Sequence, residues 1–305
     1  MIELARWPKQ ISSDPVMPTV AKAKNVIVPP KVGDKYAQEF TTVAEWFNEP
    51  VDRWVGAKIW VNRSRAGLDG QGWTGTVKSV SSNNITVEGS ARPSNEPWGL
   101  GEGTEYFLFD PLPEAVEATG GVDALFGLGE WWKNGNTLYV KTRDGQAPAS
   151  STTAGSHLIE AKRRHFAFIP FQRNRPGYTI QDFHLFACSI TTDRAARDFR
   201  IADAQNITLS GLVVKYPSHQ TDMTGNWQGQ YYGWTGIVLS GRNNTIKDCD
   251  ISLSATSALS FAGANNKMLN NRIHQTNYMC ANSGAVNTGN VCQYPEIADN
   301  KICES

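Results

Sequence analysis

The chain has 305 residues, with 29 Lys and Arg against 29 Asp and Glu, so its formal charge at pH 7 is zero; 40% of it is hydrophobic. That balance gives no electrostatic argument for a nucleic-acid partner, and there is no 18-residue apolar run to span a membrane as a helix. The length allows one large or two ordinary domains.

The N-terminus, Met1-Ile2-Glu3-Leu4-Ala5-Arg6, carries an early acid and no hydrophobic stretch of the kind an export signal needs, which taken literally predicts a cytoplasmic chain. Residues 1–44 read as a lead-in segment. Residues 45–150 are rich in Trp and Gly and read as a small β-rich domain. Trp54–Val61 has strand character. Gly75–Val80 and Ile85–Glu88 form a predicted hairpin about Ser81–Asn84, and Glu130–Trp132 with Thr137–Val140 form a second about Asn134-Gly135-Asn136. Short helices are predicted around Leu112–Ala118 and Val122–Phe126. The Pro- and Ser-rich stretch from Gln146 to Ala154 is the natural domain boundary. The basic stretch Lys162–Arg175 is better explained by interdomain pairing or a solvated strand face than by polyanion binding.

From about residue 156 a repeat takes over. Leu185/Cys188/Ile190, Leu209/Leu212/Val214, Ile246/Cys249/Ile251, Met268/Asn271/Ile273 and Ile297/Asn300/Ile302 share internal offsets of three and two, at intervals of 24, 37, 22 and 29 residues. A unit of about 22 residues with occasional insertions is a solenoid. The offsets fit two short strands meeting at a bend whose middle residue points inward. Asn271 and Asn300, in successive units, can bond side chain to side chain, with Cys249 in the same column. Gly236–Gly241 and Ala258–Gly263 read as a third strand, which predicts three strands per coil and a parallel β-helix over 156–305.

Asn265-Asn266-Lys267-Met268-Leu269-Asn270-Asn271-Arg272-Ile273 and Asn243-Asn244-Thr245-Ile246-Lys247-Asp248-Cys249-Asp250-Ile251 resemble the repeats of right-handed parallel β-helix proteins of the pectate-lyase-like superfamily. The resemblance implies an all-β, right-handed parallel β-helix with the small β-rich domain before or within it. It covers about 160–305 and names a fold that hosts hydrolases, lyases, epimerases and tailspikes. Leu4-Ala5-Arg6-Trp7-Pro8 and the Gly129–Tyr139 hairpin resemble parts of larger secreted bacterial carbohydrate-active proteins. On that resemblance the chain is expected to be an internal piece of a longer extracellular or periplasmic protein, with residues 1–44 the remainder of earlier coils.

The insertions locate a site by counting. From Val214 to Gly236 there are 22 residues, against seven from Ile251 to Ala258, and the same turn is lengthened again between Ile273 and Gly284. Two long loops on one side, two coils of about 4.8 Å apart, would wall a cleft about 10 Å wide, suited to a sugar chain. Its expected floor is Val238, Ser260 and Val286. Trp227, Tyr231, Tyr232, Trp234 and Asn277 are the candidate substrate-binding residues, since aromatic faces stack on pyranose rings. His219, Asp222, His274 and Tyr278 are the candidate acid/base groups, with Asp193 and Asp198 one coil earlier. Asp248 and Asp250 flank an inward bend residue and read as surface residues.

These features predict a polysaccharide-active protein cleaving glycosidic bonds, with hydrolysis ahead of β-elimination and a non-catalytic glycan-binding tailspike or adhesin module as the other class. Hydrolysis needs two carboxyls about 5–5.5 or 6.5–9.5 Å apart. Elimination needs a base and a group that neutralises a uronate carboxylate, Ca2+ being one option; no other cofactor or metal is expected. The expected partner is a poly- or oligosaccharide. Of five cysteines, Cys188, Cys249 and Cys303 read as core thiols, while Cys280 and Cys292 bracket a loop that a disulfide could close.

Overall fold

The computed structural model describes residues 21–27, 35–41, 54–62, 72–81, 84–90, 102–109, 112–118, 131–140, 166–169, 177–192, 204–218, 236–277 and 284–303. The chain divides into two compact units, the second comprising 162–220 and 228–305.

The first unit contains a seven-stranded antiparallel sheet in the order Ala21–Lys22, Glu105–Phe109, Lys58–Asn62, Gly72–Ser81, Asn84–Ser90, Lys35–Thr41 and Lys24–Ile27. Strand alternation puts Ile59, Val61, Val77, Ile85, Val87, Tyr106 and Leu108 on one buried face around Trp54. Each fully buried Val, Leu or Ile contributes about 1.5–3 kcal/mol toward the entropy lost in ordering the sheet. Both predicted hairpins are present: Val80 pairs with Ile85, and Asn134 with Thr137 about Gly135, whose φ of 56° only a residue tolerant of left-handed backbone adopts easily. A helix occupies Pro113–Ala118; the predicted helix at 122–126 lies outside the described residues. One expectation is corrected. Residues 21–27 and 35–41 pair within this antiparallel sheet, so that part of the lead-in segment belongs with the β-rich domain and not with coils.

The second unit is a parallel β-helix. Its first sheet stacks Thr179–Gln181, Thr208–Ser210, Thr245–Lys247, Lys267–Leu269 and Glu296–Ala298. Its second stacks His184–Phe186, Val213–Lys215, Asp250–Ser252, Arg272–His274 and Lys301–Cys303. The third stacks Ile237–Leu239, Leu259–Ala264 and Val286–Gln293, and an isolated bridge from Thr191 to Val238 brings the pair Phe166–Phe168 and Ser189–Ile190 alongside. Ile180, Leu209, Ile246 and Met268 point inward from the first sheet, and Leu185, Val214, Ile251 and Ile273 from the second.

Three columns of left-handed residues make the turns. Asp182, Gly211, Asp248, Asn270 and Asp299 stand between the first and second sheets, Ala187, Tyr216, Leu253 and Gln275 follow the second, and Asn206, Asn243, Asn265 and Tyr294 precede the first. Asn, Asp and Gly fill the first column and three of the four places in the third because they tolerate this backbone best, whereas the column after the second sheet holds none of them. Gly263, at φ 102°, has a further constraint: a Cβ would collide with the Gly241 carbonyl one coil below.

Two asparagine ladders tie the coils. Asn271 Oδ1 accepts from Cys249 N at 3.1 Å, and Asn271 Nδ2 donates to Ile246 O at 3.1 Å and to Asn300 Oδ1 at 2.9 Å. Asn300 Nδ2 donates in turn to Met268 O at 2.8 Å. Cys249, Asn271 and Asn300 thus share one inward column, as the repeat predicted. The second ladder was not anticipated. Asn244 Oδ1 accepts from Ile207 N at 2.9 Å, Asn266 Oδ1 accepts from Asn244 N at 2.9 Å, and Asn266 Nδ2 donates to Ala262 O at 2.6 Å.

The structure shifts two registers. Ile180, not Leu185, aligns with Leu209, and Leu185 aligns with Val214, so the first interval is 29 residues and not 24. Both settings satisfy the three-and-two offsets, since every two-residue turn between short strands repeats that spacing. In the third sheet Ser260 aligns with Asn287 while Val286 packs against the core, so the expected floor position is Asn287. None of Cys188, Cys249, Cys292 and Cys303 is in a disulfide, and Cys292 packs on the core.

Candidate functional site

The second sheet ends, coil by coil, at Lys215, Ser252 and His274, and from these residues the turns of unequal length depart toward the third sheet. Alternation sends Ile251 and Ile273 inward, leaving Asp250, Ser252, Arg272 and His274 on the outward face. His274 is level with Ser252, and its ring reaches diagonally back one coil. Its Nε2 lies 3.0 Å from Asp250 Oδ1. Arg272 Nη1 lies 3.6 Å from Asp250 Oδ2.

Asp250 therefore carries a histidine and an arginine on its two oxygens. The His274 side chain is only 15% exposed, against 37% for Asp250, so the contact is partly shielded from water. An ionised carboxylate can only accept, so this contact calls for the proton on Nε2 and leaves the lone pair on Nδ1. This pair was missed in part: Asp250 reads in sequence as a surface neighbour of the bend. Asp248 does fit that reading, an exposed turn residue whose Oδ1 accepts from Asn270 Nδ2 at 2.8 Å. Asp250 differs because it opens the strand Asp250–Ser252, whose outward face lies against that of Arg272–His274, the strand that leads to a lengthened turn.

Beyond His274 and Ser252 the short turn 253–258 is dense in hydroxyls. Ser218 Oγ and Thr256 Oγ1 are 3.0 Å apart, and Ser254 Oγ donates to Ser257 O at 3.0 Å. The side-chain oxygens of Ser257, Ser260 and Thr276 are buried without a hydrogen-bond partner among the described residues. Asn277, a predicted substrate contact, is half-buried at φ 57° and its N–H donates to Thr256 O at 3.1 Å. The other candidates, His219, Asp222, Tyr278, Trp227, Tyr231, Tyr232 and Trp234, lie outside the described residues, as do Asp193 and Asp198. Of the predicted set, His274 and Asn277 are placed.

Among the described residues no group of three or more His, Cys, Asp and Glu side chains is arranged to hold a metal ion, and no helix is long and apolar enough to cross a membrane. Burial pushes the Cys249 thiol up to about 11 and raises Cys292 above the ordinary thiol range. Compared with protein-family models the chain matches none, and no curated protein matches it.

Proposed function

We propose that the chain is a polysaccharide-active β-helix protein that cleaves glycosidic bonds, with His274 as the proton-transfer group and Asp250 as the residue that orients it. The observation that carries this reading is the 3.0 Å Asp250–His274 contact where the second sheet gives way to the long turns. A carboxylate on one ring nitrogen fixes the tautomer and stabilises the imidazolium formed when the other takes a proton. The finer kinship, with right-handed helices of the pectate-lyase-like superfamily, rests on the Asn-Asn repeats and the ladders they form, and a working place outside the cytoplasm goes with it. The fold supplies no reaction by itself, so the reading stands on the pair.

A specific observation favours β-elimination over hydrolysis. Asp250 is engaged by both His274 and Arg272, which suits an oriented base better than one half of a two-carboxylate hydrolase. Arg272, exposed beside that base, supplies a guanidinium that can take a uronate carboxylate, the part a Ca2+ ion would otherwise play.

The test is a screen of the 305-residue chain against soluble polysaccharides, following reducing ends and unsaturated products, with His274→Gln and Asp250→Asn in parallel. On any cleaved glycan, His274→Gln should lower kcat by about 10²-fold or more with KM little changed. Unsaturated products mark elimination, and reducing ends alone mark hydrolysis. Undiminished turnover in His274→Gln removes the reading, and binding without cleavage by folded protein makes the chain a glycan-binding module.

A further inference from the structure

The outward residues that end the strands of the second sheet form a column of Lys215, Ser252, His274 and Cys303, each level with the next across one coil. Neighbours in such a column stand about 4.8 Å apart at the backbone. A hydroxyl therefore stands between a lysine and the histidine that Asp250 orients. The cleavage reading uses the histidine and gives that hydroxyl no part.

Ser252 is only 2% exposed, yet its side chain makes no hydrogen bond among the described residues. A hydroxyl so far removed from water is as a rule partnered. The base beside it is His274, whose ring leans back toward the strand that holds both Asp250 and Ser252, with Nε2 3.0 Å from Asp250 Oδ1. Cys303, the other neighbour of His274 in the column, is on the coil from which the ring leans away. On the opposite flank of Ser252, exposed Lys215 has no carboxylate partner among the described residues. Ser252 and His274 are not hydrogen-bonded to each other; a bond between nucleophile and base is often long until substrate closes it.

We infer that Ser252 is the nucleophile of a second activity, the hydrolysis of carboxylic esters with a small acyl group. As Oγ attacks the ester carbonyl and the Oγ–C bond forms, His274 takes the hydroxyl proton on Nδ1. Lys215 faces the negative charge that develops on the carbonyl oxygen. The bond from the acyl carbon to the alcohol oxygen then breaks, and the alcohol leaves with the proton that His274 held. Water next attacks acyl-Ser252 and gives a proton to His274, which returns it to Oγ as the acid departs. The balance is ester and water to alcohol and acid, with Asp250 opposing the imidazolium charge in both halves. The 2% exposure of Ser252 sets the acyl group at about acetyl size, since a long chain finds no room beside it. This chemistry shares Asp250 and His274 with the cleavage reading and does not rest on it; only the identity of the alcohol, a sugar hydroxyl, does.

The experiment treats the full chain with a fluorophosphonate, which modifies activated serines in preference to thiols, and maps the adduct by mass spectrometry. Hydrolysis of p-nitrophenyl acetate, butyrate and octanoate is followed alongside, with Ser252→Ala, His274→Gln and Lys215→Gln checked for folding by circular dichroism. The adduct is expected on Ser252 and should be lost in His274→Gln. Acetate hydrolysis should fall about 10²-fold or more in Ser252→Ala and about tenfold in Lys215→Gln, with octanoate the poorest ester. If Ser252→Ala does not fold, the adduct site in the unaltered chain decides alone. No adduct on Ser252 of the folded chain, or unchanged ester turnover in Ser252→Ala, overturns the inference. Glycan cleavage that depends on His274, without a Ser252 adduct, overturns the serine activity and leaves the cleavage reading intact. An adduct on Ser252 in a chain that cleaves no glycan supports the serine activity and removes the cleavage reading.

Discussion

Replacing Asn271 by Ala tests the ladder. The carboxamide makes three bonds across coils, to Cys249 N, Ile246 O and Asn300 Oδ1, at a position only 2% exposed. Its loss leaves the buried Cys249 N–H without the acceptor it has now, and an orphaned buried group costs about 1–3 kcal/mol while each bond lost with its partner still served costs about 0.5–1.5. Asn300 Oδ1 keeps the Asn271 N–H at 2.9 Å, so the contributions do not simply add. The expected loss is about 2–4 kcal/mol in urea unfolding followed by far-ultraviolet circular dichroism. Asn270→Gly is the internal comparison: it removes an exposed bond to Asp248 but relieves a φ of 51°, so stability should stay within about 0.5 kcal/mol. A loss below about 0.5 kcal/mol for Asn271→Ala, or equal losses for the two variants, would refute the claim that the inward carboxamides hold the coils together.

Gly263→Ala should cost more than about 2 kcal/mol or abolish soluble expression, because of its φ and the Gly241 carbonyl, whereas Gly103→Ala, with nothing within 4 Å of its Cβ, should cost about 1 kcal/mol; equal melting points for the two variants would contradict the close approach. Ile273→Ala, at a fully buried site, should lose about 2–5 kcal/mol, while Ile302→Ala, 46% exposed, should lose less than half as much, with denaturant midpoints as the readout. Cys249 adds an alkaline signature. Its folded pKa of about 11 lies above the ordinary 9.0, so its neutral thiol is favoured in the fold; that contribution is complete below pH 9 and is lost as pH rises from 9 to 11, with a slope approaching about 1.4 kcal/mol per unit. Cys249→Ala should flatten that part of the pH–stability curve, and an unchanged slope would assign it elsewhere.

The repeat was legible because inward positions in a solenoid are constrained by every coil at once. The bend column runs Phe183, Leu212, Cys249, Asn271 and Asn300, and it keeps its register through insertions elsewhere in the coil. What the spacing could not settle is which pair of strands a three-and-two offset spans, and this placed the first unit at Leu185 instead of Ile180. The second ladder was equally present in the sequence. Each Asn-Asn doublet, 243–244 and 265–266, puts its first residue at φ 56° or 55° in the turn and its second inward, so the doublet is itself the mark of a ladder rung.

The site shows where such legibility ends. Between the third and fourth rungs the interval is 22 residues, with no insertion, and there an outward side chain lies beside the residue 22 positions on and diagonal to the one 24 on. Asp250 plus 24 is His274, so counting alone pairs them; what hid the pair was treating Asp248 and Asp250 as equivalent flanks of Cys249. They are not equivalent, because Asp248 sits in left-handed turn backbone while Asp250 begins a strand, and only strand residues obey the diagonal rule. The intervals of 29 and 37 break that rule, since an inserted turn is not constrained by the coils above and below it. The residues expected to wall a groove, His219 to Trp234 and Tyr278, belong to those inserted turns, and no column fixes their partners. The site is therefore best interrogated outward from Asp250, His274 and Arg272, whose places the stacking does fix.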